Sequence, residues 1–284
     1  MIIWIASYPK SGNTWLRALI SSYFYSKDGT YDEDLLKKID QFPVRKYFKY
    51  FSYDKKKVGD TTKFWIEAQE EINKDKKLKF FKTHNIFGKV NSFDFTNAEN
   101  SFGGIYIVRD PRNVITSLKN HYSLNDENAF KWMTDQNNYV YDIENVKEVG
   151  YGDFQFISSW DVNYKSWKIQ KKIPIKFIKY EDLSNNTYSI FLEIIEFIYK
   201  ISNNMVTVDK IRLKNALNST TFDKLQKREK KYGFSEAVSF TNIEKSQFFN
   251  LGPKNDWKKI LNDKVKNKIT NVFKKNLKEL SYTL

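Results

Sequence analysis

Ile2-Ile3-Trp4-Ile5-Ala6-Ser7-Tyr8-Pro9-Lys10-Ser11-Gly12-Asn13-Thr14-Trp15 stands at the start of the chain, and its reading decides the fold. Ile2 to Ala6 is a continuous apolar run. That pattern suits a strand covered on both faces, as in a parallel sheet. Pro9, Gly12 and Asn13 are turn residues, while Ser11, Asn13 and Thr14 are helix-capping types. Thr14 to Tyr25 reads as the helix that follows. Such a turn aims successive N–H groups at one point, at the positive end of a helix dipole, which suits a phosphate. Lys10 adds a full charge, and the Ser and Thr hydroxyls add donors. The plain alternative is a capped loop with an exposed lysine. The turn is not a Walker A loop, in which Lys follows a glycine and precedes Ser or Thr; here Lys10 precedes Ser11-Gly12.

Outward from this stretch, three more apolar runs read as strands: Lys79 to Lys82, Ile105 to Val108 and Ile175 to Ile178. Arg112–Tyr122, Ile157–Gln170 and Thr187–Tyr199 read as helices between or after them, and Trp257–Leu280 as one lysine-decorated amphipathic helix. Alternating strands and helices predict an α/β fold with right-handed crossovers. With no repeat and no Pro- or Gly/Ser-rich linker, one domain over residues 1–284 is the simplest organisation. Segments 27–78 and 123–155 read as insertions that shape a substrate pocket. Residues 227–256 are polar, basic and glycine-punctuated, and are expected to form a lid.

Ligand sites in open α/β sheets lie at the carboxyl ends of strands. There stands a second constellation, Val108-Arg109-Asp110-Pro111-Arg112-Asn113. Asp110 suits an N-cap and Pro111 a first helical residue. Arg109 then sits at a strand end, where a guanidinium can hold phosphate as a fork. Ser117, eight residues on, could face the same anion. An Arg–carboxylate surface pair is the plain alternative.

Composition narrows the function classes. The chain has 284 residues and no cysteine, so disulfides, thiolate metal sites and cysteine nucleophiles are excluded. Only two histidines are present, and no metal is expected. No apolar run approaches the ~20 residues of a membrane span. Met1 to Tyr8 lacks the basic start of a signal peptide, and a cytoplasmic location is expected. The net charge of +14 suits an anionic partner. The lysine runs are spread along the chain rather than gathered into an arm, so no nucleic-acid partner is expected.

The first turn, Tyr8 to Trp15, resembles the 5'-phosphosulfate loop of the sulfotransferases that use 3'-phosphoadenosine 5'-phosphosulfate (PAPS). Tyr106 to Val114 with Ser117 is similar to the same family's 3'-phosphate motif. Lys82-Thr83-His84, Tyr180-Glu181-Asp182-Leu183, Thr220-Thr221-Phe222 and Gly252 to Lys258 extend the resemblance over most of the chain. It implies a P-loop-like three-layer sandwich with a central parallel sheet flanked by helices. PAPS would be the donor and adenosine 3',5'-bisphosphate (PAP) the product. The acceptor would be a small molecule, carbohydrate or lipid. Lys10, Ser11, Gly12, Asn13 and Thr14 would hold the 5'-phosphate and bridge oxygen. Trp15 and Phe222 would stack on adenine, and Tyr180 and Thr220 would contact the base edge. Arg109, Ser117 and the Gly252 amide would hold the 3'-phosphate. His84 would be the general base, with Lys82 near the transferring group; His121, which lacks such a context, reads as structural. One departure stands out: Asn250-Leu251-Gly252 replaces the family's Arg-Lys-Gly, so two cations are missing, for which Lys245 or Lys254 could compensate.

These residue types suit sulfuryl transfer on their own terms. By analogy with phosphoryl transfer, the protein's tasks are positioning and charge stabilisation. The alternatives are a small-molecule kinase, which the missing Gly-Lys-Ser/Thr argues against, and a nucleic-acid-binding or catalytically inactive nucleotide-binding module.

Overall fold

The computed structural model describes residues 1–204, 206–237 and 247–284. Five parallel strands form the central sheet: β1 (Ile2–Ser7), β2 (Asp40–Gln41), β3 (Lys79–Thr83), β6 (Ser101–Val108) and β9 (Ile175–Lys179). They lie in the order β2-β3-β1-β6-β9. Two short antiparallel ribbons stand apart, β4 (Lys89–Val90) with β5 (Phe93–Asp94) and β7 (Tyr139–Val140) with β8 (Gln155–Phe156).

Every residue of β1 is buried, because the sheet is covered on both faces. Side chains alternate across a strand. Trp4 and Ala6 therefore join Phe81, Tyr106 and Val108 in one core, while Ile3 and Ile5 join Phe80, Ile105 and Ile107 in the other. Against the second face pack α1 (Asn13–Tyr25), through Leu16, Leu19 and Ile20, and α8 (Thr187–Ile201), through Phe191, Ile194 and Ile198. Against the first pack α3 (Pro111–Tyr122), through Val114, Ile115 and Leu118, and α6 (Trp160–Ile169), through Trp160 and Trp167. The result is the expected three-layer sandwich.

The remaining helices are α2 (Trp65–Asn73), α4 (Asp126–Thr134), α5 (Val146–Val149), α7 (Tyr180–Asn185), α9 (Lys210–Ser219), α10 (Phe222–Tyr232), α11 (Trp257–Ile260), α12 (Asp263–Val272) and α13 (Lys274–Glu279). The last three correct the expectation of a single helix over Trp257–Leu280. Asp256 caps α11 by accepting from Lys258 N, and Asn262 starts a new helix by accepting from Val265 N. A capping side chain inside the pattern ends one helix and opens the next. The strand β2 was also not foreseen: two residues carry no period.

β1 has β3 on one side and β6 on the other. The chain leaves β1 for β2 and β3, then crosses back to β6 and β9. The turns after β1, β3 and β6 therefore open onto a common crevice at the point where strand order reverses. The 227–256 segment expected as a lid is described only in part: residues 238–246, with Lys245, lie outside the described residues.

Candidate active site

The turn after β1 is pinned from below. Asn13 Nδ2 donates to Ile5 O at 3.0 Å and to Ser7 Oγ at 3.2 Å. Lys10 takes a left-handed φ of 65° and Gly12 one of 99°. A Cβ on Gly12 would lie 2.5 Å from a ring carbon of Tyr180, so glycine serves both the turn and the packing there.

The turn after β6 begins as the sequence predicts. Asp110 caps α3 by accepting from Arg112 N, with Pro111 first in the helix. Arg109 is buried. Its Nη1 donates to Lys10 O at 3.3 Å and its Nη2 to Gly252 O at 3.1 Å. The guanidinium lies 4.1 Å from the ring centre of Tyr180. Arg109 thus ties the first turn to the Gly252 turn.

After β3, His84 has its backbone held at both ends: His84 N donates to Gln155 Oε1 at 2.8 Å, and Asn163 Nδ2 donates to His84 O at 2.9 Å. Its Nδ1 lies 2.8 Å from Ser7 O. A carbonyl only accepts, so Nδ1 carries the proton and Nε2 keeps its lone pair. Desolvation, then the Lys82 charge, pull the His84 pKa down to about 3, so the ring is neutral.

These turns enclose a cavity of about 850 Å³. Lys10, Gly12, Asn13, Thr14, Trp15, Lys82, His84, Arg109, Ser117, Tyr180, Phe222 and Gly252 all line it. Residues scattered from position 10 to 252 are thus brought together. From segments 27–78 and 123–155 come Val44, Arg45, Tyr141 and Gln155. Arg45 joins the two segments, donating to Asp142 at 3.0 Å and to Asp153 at 2.5 Å.

Two expected residues take other places. Ser11 is fully buried beneath the turn. Thr220 is also buried, and its hydroxyl is spent on Ala216 O at 2.7 Å, as a helix-end hydroxyl commonly is. Its carbonyl accepts from Trp15 Nε1 at 3.0 Å, and its neighbour Thr221 lines the cavity. Thr220 therefore positions Trp15 and presents no side chain to the cavity. Trp15 also meets Tyr180 edge-on at 5.8 Å. Ser117 Oγ donates to Asn113 O and accepts from Asn255 Nδ2, each at 3.1 Å. Lys254 is exposed and outside the cavity wall.

The electrostatics are strongly positive. Burial, then Lys82 and Arg109, lower the Lys10 pKa to about 7 against the opposing pull of Glu236. Its Nζ lies 3.8 Å from the ring centre of Phe248. Burial also lowers the Lys82 pKa. Buried Ser11 Oγ, Asn13 Oδ1 and Arg109 Nε have no hydrogen-bond partner. An orphaned guanidinium Nε among clustered cations fits a site built for a ligand with anionic oxygens.

Sequence reasoning missed Arg17 and Glu236, which pair at 2.5 Å beside Lys82. No local signal links positions so far apart. It also missed that His121 lines the cavity, 5.6 Å from Phe248, with Nδ1 unpartnered and its pKa lowered to about 3 by burial, then by Lys10. Among the described residues no cluster of acidic and histidine side chains is arranged to hold a metal, and no helix is long and apolar enough to cross a membrane.

Known proteins resemble this chain over nearly its whole length. The sulfotransferase domain model matches residues 2–281. "Sulfotransferase 1A1" of Rattus norvegicus is 24% identical over 257 residues, covering 89% of this chain and 77% of that protein. "Flavonol sulfotransferase-like" of Flaveria bidentis is 25% identical over 285 residues, covering 97% and 81%. The crystal structure of mouse sulfotransferase SULT7A1 complexed with PAP superposes with a TM-score of 0.57 at 18% identity, covering 97% of this chain and 84% of that one. With a matching sequence model over nearly its whole length and its charged turns gathered at the carboxyl ends of three adjacent strands, the chain belongs to the sulfotransferase domain family.

Proposed function

We propose that this sulfotransferase takes its sulfuryl group from PAPS, releases PAP, and transfers the group to a hydroxyl or amine acceptor with His84 as general base. The observation that carries the reading is the meeting of the Lys10–Thr14 turn, His84 and Arg109 around one cavity at the ends of three adjacent parallel strands. The orphaned Arg109 Nε supports a ligand with anionic oxygens at the second turn. Bound there, the donor supplies an activated sulfuryl group on a phosphate leaving group.

The chain's own residues do the rest. Lys10 and the turn amides, fixed before reaction, would stabilise charge developing on the 5' side without reorganising. Lys82 would neutralise charge near the transferring group. His84 Nε2, the free lone pair of a ring oriented by Ser7 O, would accept the acceptor's proton once the donor's anionic oxygens offset the Lys82 charge and raise a pKa that stands at about 3 in the free site. Arg109 would answer the 3'-phosphate with Nε while its outer nitrogens hold the Lys10 and Gly252 turns. Trp15, Tyr180 and Phe222 offer aromatic faces for the base. A cytoplasmic location belongs to the proposal, in keeping with a chain free of cysteine.

Calorimetry comparing PAP with ATP and AMP tests the donor. Selective PAP binding, followed by transfer of labelled sulfur from PAPS to an acceptor, is expected. Magnesium-dependent ATP turnover would replace the reading with a kinase, and PAP binding without transfer to any acceptor with an inactive nucleotide binder.

A further inference from the structure

Glu236 places a carboxylate among groups that the proposed reaction needs. Its Oε1 lies 2.5 Å from Arg17 Nη2 and 3.5 Å from Lys82 Nζ. Its Oε2 accepts from Thr14 Oγ1 at 3.0 Å. Arg17 Nη2 also donates to Thr14 Oγ1, at 3.2 Å. The single proton of Thr14 therefore goes to Glu236 and to nothing else. Arg17 is almost wholly buried, and its Nε has no partner. Nothing in the function proposed above uses this arginine.

The cradle and its occupant differ in kind. Thr14 and Arg17 lie one turn apart on α1, and Lys82 lies in β3, so all three are fixed by the packed sheet and its helix. Glu236 belongs to no helix or strand, and its side chain is about a quarter exposed (27%). It stands between two spaces. The large cavity is on one side, and a smaller one of about 160 Å³, lined by Arg17, Glu33, Lys37 and Asp40, is on the other. Two cations and a hydroxyl hold one carboxylate, leaving an uncompensated positive charge before Lys10 and Arg109 are counted. A tetrahedral oxyanion, carrying more oxygens, can satisfy the same donors and the orphaned Arg17 Nε besides.

We propose that Arg17 extends the Thr14 and Lys82 end of the donor site into an oxyanion subsite, which Glu236 fills as an internal counter-ion until a sulfuryl or phosphoryl group of the donor displaces it. The proposal rests on reading the cavity as the donor site. Its consequence is quantitative: the apparent affinity for the donor is reduced by the fraction of molecules whose cradle is free. The protein's own carboxylate then keeps buried cations paired when no donor is bound, at a cost in donor affinity.

Glu236→Gln removes the charge at nearly constant shape. Glu236→Asp keeps the charge but retracts it by one methylene. Calorimetry at constant ionic strength uses two probes, inorganic sulfate and PAP, with thermal midpoints confirming that each variant is folded. Glu236→Gln is expected to bind both probes at least about ten-fold more tightly than the wild type, with Glu236→Asp in between. Adding Arg17→Gln to Glu236→Gln should abolish the gain. Unchanged or weaker binding of both probes in the folded variants overturns the proposal; should Glu236→Gln fail to fold, Glu236→Asp decides alone by the same measure. A gain for sulfate with no PAP binding to any form leaves the subsite standing and sinks the nucleotide reading.

Discussion

Lys10 gives the donor reading a proton count. Its ammonium lies over the Phe248 ring, and desolvation, aided by the charges of Lys82 and Arg109 against the pull of Glu236, lowers its pKa to about 7. At pH 8 roughly 90% of free molecules therefore carry the neutral amine, and at pH 6 roughly 10%. A phosphate dianion beside the amine favours the charged form. Binding PAP at pH 8 should then take up close to ~0.9 proton, because the complex restores the ammonium that the free site has lost. The ligand adds nothing to the count at that pH, since its phosphates, with a second pKa of ~6, are already deprotonated. The assay is titration calorimetry in non-phosphate buffers of different ionisation enthalpy; the slope of observed heat against that enthalpy counts protons. Affinity should fall as pH rises above about 7. Lys10→Arg is the control: a guanidinium keeps its charge, so binding should persist and the uptake vanish. Zero uptake at pH 8, or equal uptake in Lys10→Arg, would refute the assignment of Lys10 to the donor's charge.

His84→Ala should leave PAP affinity nearly intact and cut turnover at least ~100-fold; wild-type turnover would strip His84 of its role. Arg109→Ala should erase the preference for a 3'-phosphorylated nucleotide over AMP, read as the ratio of the two dissociation constants. Gly252→Ala would place a methyl 2.1 Å from a ring carbon of Phe222 at a φ of 52°; it should weaken PAP binding and destabilise the fold by ~1–3 kcal/mol, checked by calorimetry and denaturant titration. His84 and His121 are each held down to about 3 by burial. Their folded pKa values lie below the unfolded ~6.5, so the unfolded chain binds more protons between those limits. Stability present above pH ~6.5 should be lost as pH falls toward 3, and a flat thermal midpoint across that window would contradict the burial of both rings.

The sheet was legible because its signals are local. Four of five strands announced themselves as short apolar runs, each within a few residues of its observed bounds, and only β6 is much longer than its run. The turn residues Pro9, Gly12 and Asn13 and the cap Asp110-Pro111 fixed where strands stop and helices start. What failed to show was long-range or satisfied by geometry. The break at Asn262 looked like any polar residue of an amphipathic helix until its side chain was seen to cap. Thr220 sits in a motif whose neighbour, not itself, reaches the cavity. The tautomer of His84 depends on Ser7 O, which becomes its neighbour only when β1 and β3 pair.

Charge at two scales was also read unequally well. The excess of +14 comes from lysines spread over the whole chain, most of them on the surface, and by itself names no ligand. The excess that matters is local: Lys10, Lys82 and Arg109 line one crevice, and Glu236, on its wall, pairs with Lys82 there and with Arg17 behind it. Folding gains nothing from such a crowd. Desolvated like charges cost free energy, which the packed sheet on either side must supply. A chain that carries this cost with its polar atoms left orphaned recovers it only when an anion arrives. Ligand binding and fold stability are therefore coupled here, and the coupling should be strongest for the ligand with the most anionic oxygens in reach of these cations.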